Sequence, residues 1–315
     1  MDQALPEDIQ AFLQLVESLQ RPSLESIGAD VARTAVKAMA PADMGERRCR
    51  IEEKHIPVTG GQIPIRVYQP ETVRGVVVFF HGGGWVLCDL DTHDAFADQL
   101  AHGTGHVVVS VGYRLAPEHP YPTPLEDAYT ALCWVSSNIG KLAPGCSTVA
   151  IAGDSAGGNL ASACCLKARD ERGPCISHQL LFYPVMDIST LDSQSYTEFS
   201  EGYYLRKSDM VWFAKQYLGG SDSANHPYIS PLQAADFRTL PPAYLITAGF
   251  DVLRDEGALF AKELQRAGVP VHYACYPDMI HGFLTMASTL PSAQAATANV
   301  LQEIATLLNR DRVPV

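Results

Sequence analysis

Ser155 is the residue of this sequence whose surroundings most clearly predict chemistry. It is the centre of the pentapeptide Gly-Asp-Ser-Ala-Gly at 153–157, a G-x-S-x-G match. The apolar segment 148–152 before it indicates a buried strand, and the segment 158–167 after it predicts a helix. A strand, a tight turn and a helix are the setting in which a serine hydroxyl is exposed at the end of a sheet as a nucleophile. The helix N-terminus would also direct free N–H groups toward a reacting group.

A run of three glycines follows another apolar segment. Residues 81–85 are His-Gly-Gly-Gly-Trp, and they come directly after the buried-strand pattern of residues 76–80. Consecutive glycines cost chain entropy, so a loop keeps them where the backbone adopts unusual angles or approaches a ligand closely. We expect N–H groups of this loop to form an oxyanion hole, where negative charge develops on a carbonyl oxygen. A flexible surface turn is the alternative interpretation.

Asp251 and His281 are the two residues that could activate the serine. Asp251 follows the predicted strand at 243–249, and His281 lies in the loop after the predicted strand at 271–276. The chain order serine, acid, histidine is typical of α/β-hydrolases. Imidazole can accept and return a proton near neutral pH, and a carboxylate fixes its tautomer and stabilises the imidazolium. Each residue alone could be an ordinary turn or loop residue, but their order and context together predict a catalytic triad.

These segments together resemble the bacterial branch of the hormone-sensitive-lipase family, a group of α/β-hydrolases. The matching segments are HGGGW at 81–85, YRLAPE at 113–118, GDSAGGNLA at 153–161, DVLRDE at 251–256 and HGF at 281–283. The resemblance implies a serine carboxylesterase that prefers short to medium acyl chains, and its chemistry needs no cofactor. It implies that Ser155 is the nucleophile, His281 the base and acid, and Asp251 the orienting carboxylate.

The resemblance also implies which residues surround the triad. Gly83, Gly84 and Ala156 would supply the oxyanion N–H groups, while the sequence leaves the role of Gly82 open. Four further motif residues are expected to support the site through hydrogen bonds rather than to catalyse: His81, Glu118, Asp154 and Asp255.

The alternation of strand and helix patterns predicts an α/β-hydrolase fold with an eight-stranded, mostly parallel sheet and helices on both faces. The predicted strands are 51–58, 63–68, 76–80, 107–111, 148–152, 179–183, 243–248 and 271–276. We expect four segments along the chain: N-terminal cap helices at 1–48, the first part of the catalytic core at 49–187, a cap insertion at 188–240 and the second part of the core at 241–315.

The insertion is too long for a simple crossover, and long inserts in compact domains tend to be functional. We expect it to join the N-terminal helices as an aromatic cap that binds acyl and alcohol groups above Ser155 and excludes water. Packing within the insertion is an equal alternative for any one aromatic residue. The candidate pocket residues are Trp85, Tyr183, Tyr204, Trp212 and Phe283.

Composition limits the partners. The 315 residues carry a net charge of −12, which disfavours nucleic acid and anionic membrane surfaces. No run of 18 apolar residues occurs, and the acidic N-terminus lacks a signal-peptide core, so we expect no membrane span and a cytoplasmic location. The eight cysteines are expected to stay as thiols, and the absence of C-x-x-C and H-E-x-x-H motifs makes a metal site improbable. The family resemblance implies an ester and water as partners and is compatible with a homodimer through a sheet edge.

Two other functions remain open at this point. An amidase or lactonase would use the same triad on a different substrate. A ligand-binding protein of the same fold is the other alternative, because plant gibberellin receptors resemble this family but lack the catalytic histidine. The presence of His281 favours turnover over binding alone.

Overall fold

An eight-stranded sheet runs through the middle of the molecule. The computed structural model describes residues 4–39 and 47–310. The strands are β1 (Arg50–Val58), β2 (Gly61–Gln69), β3 (Gly75–Phe80), β4 (His106–Val111), β5 (Val149–Asp154), β6 (Ile176–Phe182), β7 (Ala243–Phe250) and β8 (Val271–Ile280). Their order across the sheet is β1-β2-β4-β3-β5-β6-β7-β8. β1 pairs antiparallel with β2, as does β2 with β4, and the remaining pairs are parallel.

Helices cover both faces of this sheet. They are α1 (Glu7–Ser18), α2 (Leu24–Met39), α3 (Asp94–Thr104), α4 (Thr123–Leu142), α5 (Ala156–Glu171), α6 (Gln194–Glu198), α7 (Lys207–Leu218), α8 (Arg254–Arg266) and α9 (Pro291–Arg310). One apolar core contains residues of α4, α5 and α8, and the other contains residues of α1, α3 and α9. No helix in the described ranges is both long enough and apolar enough to cross a membrane.

The central strands are continuous apolar runs because both of their faces are covered. Every residue of β3, β4 and β5 is buried, whereas the edge strand β1 is largely exposed. The predicted fold class is therefore confirmed, with an eight-stranded, mostly parallel sheet and helices on both faces.

The parallel strands place the candidate catalytic residues at one edge of the sheet. Ser155 directly follows β5, Asp251 directly follows β7, and His281 directly follows β8. His81 follows β3 in the same way. Because the carboxyl ends of parallel strands meet at one edge, residues far apart in sequence become neighbours there.

The N-terminal helices lie outside the sheet, and one arginine ties α2 to the core. Arg33 donates from Nε to the carbonyl of Val86 at 2.8 Å and from Nη2 to the carbonyl of Ala116 at 2.9 Å. Its guanidinium also binds both carboxylate oxygens of Glu118, at 2.8 and 2.7 Å. The YRLAPE segment and the residues after the glycine loop are thus held against α2 by one planar group that suits paired acceptors.

We expect Arg33→Ala to lower the free energy of unfolding by about 1.5–3 kcal/mol, because two buried carbonyls and a carboxylate lose a charged donor. Urea denaturation measures this loss. The matched control is Lys215→Ala, which breaks the pair between Lys215 and Glu25, whose side chains are 69% and 72% exposed. That change should cost less than about 1 kcal/mol. Equal losses in the two variants would contradict the role assigned to Arg33.

Candidate active site

Ser155 occupies a strained turn between β5 and α5. Its φ of 53° and ψ of −120° are rare for a residue with a side chain. Three hydrogen bonds stabilise this backbone conformation. The Ser155 N–H donates to the Phe182 carbonyl at 2.9 Å, and the Ser155 carbonyl accepts the N–H groups of Asn159 and Val185, both at 3.1 Å. Such conformations persist only where the surroundings over-determine them, and they concentrate at functional sites.

The glycines that flank Ser155 are required by close backbone contacts. A Cβ atom at Gly153 would collide with the carbonyl oxygen of Gly157. A Cβ atom at Gly157 would collide with the carbonyl oxygen of Phe80, at the end of β3. The G-x-S-x-G pattern thus follows from the narrow space between the turn and the neighbouring strand.

The structure brings together the three residues that the sequence predicts as a triad. His281 Nδ1 lies 2.7 Å from Asp251 Oδ2, and His281 Nε2 lies 3.0 Å from Ser155 Oγ. All three side chains are buried. The Asp251 carboxylate also accepts the N–H of Leu253 at 3.0 Å, which fixes its orientation. Since the carboxylate accepts the Nδ1 proton, Nε2 is left to accept the proton of the serine hydroxyl.

The glycine loop adopts backbone angles that favour glycine. The φ values of Gly83 and Gly84 are 103° and 61°, both in the left-handed region. A Cβ atom at Gly83 would collide with the carbonyl oxygen of Leu87, and one at Gly84 would collide with the ring of Phe213 in α7. The loop is therefore packed closely on both sides and is not a flexible surface turn.

Hydrogen bonds to carbonyls fix the directions of the loop N–H groups. The Gly82 carbonyl lies 2.8 Å from His81 Nδ1, and the Gly83 carbonyl accepts the N–H of Leu87 at 2.8 Å. A peptide unit is planar, so holding its C=O also holds the N–H of the next residue. The N–H groups of Gly83 and Gly84 are fixed in this way.

The N–H of Gly82, whose role the sequence left open, is engaged in a hydrogen bond. It donates to Asp154 Oδ1 at 2.8 Å. Within the described residues, the N–H groups of Gly83, Gly84 and Ala156 donate to no acceptor. The Ala156 N–H shares a peptide unit with the Ser155 carbonyl, whose two hydrogen bonds fix its direction. An oxyanion hole requires free donors of fixed direction, and this role stays a prediction for Gly83, Gly84 and Ala156.

Burial and neighbouring charges set the protonation of the residues beneath the loop. Burial, and after it the positive charge of His93, lowers the pKa of His81 to about 4. Burial raises the pKa of Asp154, but the positive charge and hydrogen bond of His93, followed by the charges of His81 and His281, outweigh this and lower that pKa below its usual value. At neutral pH the Asp154 carboxylate is ionised, and His81 is neutral with a proton available to the Gly82 carbonyl.

Two of the candidate pocket residues lie beside His281 or its neighbour Gly282. Tyr183 is buried with its ring edge-on to the imidazole of His281, at 4.9 Å between centroids. Tyr204 lies next to Gly282, 3.8 Å from the position that a Cβ atom would take there. A role in binding substrate stays a prediction for both residues.

The other three candidate pocket residues pack among further aromatic rings. Trp85 is buried and stacks on Tyr217 of α7 at 4.3 Å. Phe283 is buried and packs against Tyr183. Trp212 contacts Phe213, the residue that covers Gly84. Their contacts with substrate also stay predictions.

Several residues that shape the site were not singled out from the sequence. Tyr113 donates its hydroxyl to the His81 carbonyl at 2.7 Å and stacks on the His81 ring. Glu256 accepts the N–H of Met186 at 2.6 Å, and burial raises the pKa of its carboxyl well above the usual value. Both residues lie inside the quoted motifs, which is the one signal that could have pointed to them. His93 and Phe213 lie outside those motifs.

A buried serine, histidine and aspartate at the carboxyl edge of a mostly parallel sheet, with a strained turn at the serine, define the α/β-hydrolase class. A family model described as the alpha/beta hydrolase fold matches residues 77–285. The carboxylesterase NlhH of Mycobacterium tuberculosis is 41% identical over 281 residues, which cover 87% of this chain and 88% of that protein. An ethyl acetate hydrolase of Pseudomonas putida is 30% identical over 96% of this chain and 98% of that protein.

Solved structures agree with these relatives. A thermostable esterase from Pseudomonas putida superposes with a TM-score of 0.89 at 36% identity, covering 98% of this chain and 99% of the other. An ester hydrolase from the metagenome of Lake Arreo, in complex with a derivative of bipyridine phosphonate, superposes with a TM-score of 0.91 at 33% identity. The match covers 97% of this chain and 99% of the other. The chain belongs to the α/β-hydrolase family, and within it to the carboxylesterases that resemble hormone-sensitive lipase.

The lowered pKa of His81 predicts a pH-dependent stability. Between pH 6.5 and about 4 the unfolded chain binds a proton on this residue and the folded chain does not, so stability falls as the pH falls through this window. The loss from this residue is roughly 3 kcal/mol. Urea denaturation at several pH values should show part of this slope missing in His81→Asn, whose amide can still donate to Gly82. The exposed His102 serves as the control, since His102→Asn should leave the slope unchanged.

Proposed function

We propose that this carboxylesterase hydrolyses short- to medium-chain acyl esters through an acyl-enzyme intermediate on Ser155. The observation that carries this proposal is the buried hydrogen-bond chain from Asp251 through His281 to Ser155, with distances of 2.7 and 3.0 Å. A serine hydroxyl is a weak nucleophile until a positioned base takes its proton, and this chain supplies that base.

Acylation begins when Ser155 Oγ attacks the ester carbonyl carbon while His281 Nε2 takes the serine proton. Asp251 stabilises the imidazolium that forms. The carbonyl oxygen becomes an oxyanion and accepts hydrogen bonds from the N–H groups of Gly83, Gly84 and Ala156. The bond from carbon to the alcohol oxygen then breaks, and His281 gives its proton to the departing alcohol.

Deacylation repeats these steps with water. His281 takes a proton from a water molecule, whose oxygen attacks the acyl carbon. The bond between the acyl carbon and Ser155 Oγ breaks, and the imidazolium returns a proton to the serine. The products are a carboxylic acid and the free enzyme, and the steps require neither electrons nor a carrier group from a cofactor.

The preference for shorter acyl chains is supported by the similar ethyl acetate hydrolase. A cavity of about 240 Å³ lies between α1 and the insertion, and Tyr204 in its lining also lies next to Gly282, the neighbour of His281. The rest of its lining combines Leu13 and Val16 with charged residues such as Arg21 and Glu201, and it contains neither Ser155 nor the glycine loop.

We propose that residues 1–48 and 188–240 form a cap, with the catalytic core at 49–187 and 241–315. Residues 1–3, 40–46 and 311–315 of these segments lie outside the described residues. Arg21 after α1 donates to the Tyr204 carbonyl at 2.9 Å, and Lys215 of α7 pairs with Glu25 of α2. These contacts support a joint cap made of the N-terminal helices and the insertion. A homodimer and a cytoplasmic location stay predictions.

Two alternatives differ from this proposal in what the site does with its ligand. An amidase or lactonase would use the same side chains on another carbonyl substrate. A binding protein would not need a proton acceptor at the serine, so the hydrogen bond between His281 and Ser155 favours catalysis.

We expect Ser155→Ala to lower kcat by roughly 10⁴–10⁶-fold, because the nucleophile is lost while the oxyanion donors stay. Hydrolysis of p-nitrophenyl butyrate measures this change, and a fluorophosphonate probe should label the wild-type protein but not the variant. Ser162→Ala is the matched control, since this buried serine of α5 lies outside the triad and should keep both activity and labelling. Substantial turnover by the Ser155 variant would remove the mechanism.

A graded series of p-nitrophenyl esters tests the substrate class. We expect kcat/KM to be higher for acetate, butyrate and hexanoate than for palmitate, in line with the ethyl acetate hydrolase among the similar proteins. The matched p-nitroanilides should react far more slowly than the esters. Anilide turnover equal to ester turnover would favour an amidase, and a maximum at palmitate would contradict the proposed chain length.

A further inference from the structure

His93 is a buried histidine that takes no part in the proposed proton transfers. It directly precedes α3 and is only 4% exposed. Its Nε2 lies 3.2 Å from Asp154 Oδ1 and 3.3 Å from Asp154 Oδ2. Because an ionised carboxylate can only accept, His93 donates its Nε2 proton to Asp154. Burying two polar side chains is costly, and Asp154 directly precedes Ser155, so this pair is a candidate for a role in the site.

The Asp154 carboxylate connects His93 to the glycine loop. Its Oδ1 accepts the N–H of Gly82 at 2.8 Å. A Cβ atom at position 82 would collide with Asp154 Oδ2, so the glycine allows the backbone to approach the carboxylate this closely. The carboxylate is therefore held between the His93 ring on one side and the loop backbone on the other.

The opposite nitrogen of His93 is held by the segment that leads into α3. His93 Nδ1 lies 3.1 Å from Thr92 Oγ1. The same hydroxyl accepts the N–H of Asp89 at 2.9 Å, and its single proton is available to His93 Nδ1 or to the Asp89 carbonyl, which is also 2.9 Å away. The Asp89 carboxylate in turn pairs with Lys37 of α2 at 2.7 Å. Both ring nitrogens of His93 thus have partners, which leaves the ring little freedom to turn.

We propose that His93 is a positioning residue for the oxyanion hole. It fixes the Asp154 carboxylate against the Gly82 N–H and so fixes the glycine loop that presents the N–H groups of Gly83 and Gly84. This inference rests on the proposed acyl-transfer function, in which those N–H groups stabilise the oxyanion.

The energetics follow from the burial of Asp154. A buried carboxylate that loses a donor is costly, and it lowers that cost by taking a proton or by turning toward other donors. Either change weakens its hydrogen bond to Gly82. A loop whose N–H groups are displaced stabilises the transition state less, while the ester ground state makes little use of them. The loss should therefore fall on kcat rather than on KM.

The test compares His93→Ala with His93→Gln. The glutamine amide can place a donor near the position of Nε2, whereas alanine has none. We expect His93→Ala to lower kcat about 10–100-fold with KM within about threefold of wild type, and His93→Gln to restore most of the loss. Active sites are counted by fluorophosphonate titration, so that kcat refers to folded, competent protein.

A second readout reports directly on the oxyanion hole. A trifluoromethyl ketone forms a tetrahedral adduct with an active serine, and its inhibition constant should weaken in His93→Ala by about the factor lost in kcat/KM. His106→Ala is the control, because this buried histidine begins β4 and so lies at the amino ends of the parallel strands, away from the carboxyl ends that carry the site. It should leave the active-site kcat and the ketone affinity unchanged.

The outcomes separate this inference from the proposed function. An unchanged kcat per active site in His93→Ala, or equal losses in the alanine and glutamine variants, would overturn the role of His93. If the alanine variant does not fold, His93→Gln and His93→Met supply the same comparison, since both fill the space and only glutamine donates. Activity in Ser155→Ala would instead overturn the acyl-transfer function itself.

Discussion

The close approach of the β5–α5 turn to the end of β3 is the constraint on which the site depends. At Gly157 the helix backbone meets the Phe80 carbonyl so closely that no side chain fits. This approach brings Ser155, which precedes α5, beside the glycine loop that follows β3. The strained backbone of Ser155 is held by three hydrogen bonds to its surroundings. The free energy that maintains this turn comes from the buried sheet, whose central strands leave the turn no room to relax.

The nucleophile turn and the glycine loop are joined by one carboxylate. Asp154 precedes Ser155 and accepts the N–H of Gly82, so the two halves of the site share a residue. The charges of His81, His93 and His281 lower the pKa of this carboxyl against the effect of its burial. Positioning and electrostatics thus act through the same side chain.

The sequence predicted the parts of the site that follow strands. Ser155, Asp251 and His281 could be found because each comes after an apolar run, and parallel strands place such residues at one edge. His93 and Phe213 could not be found in this way, because their contacts join segments that are far apart along the chain. The aromatic residues were the least certain for the same reason: periodicity cannot say that Trp85 stacks on Tyr217, or that Tyr183 lies edge-on to His281. Close packing, rather than local pattern, decides those positions.

The ring of Phe213 packs against Gly84, so a movement of α7 would disturb the glycine loop. An outward swing of α7 would pull this ring off the glycine loop and wet an apolar surface that is otherwise buried. The α1 side is held to Tyr204 by Arg21, and a cavity already opens there. If the ester enters and the acid leaves on the α1 side, α7 stays packed on the glycine loop throughout the catalytic cycle. The insertion would then keep its position, and α1 would be the element that moves to admit substrate.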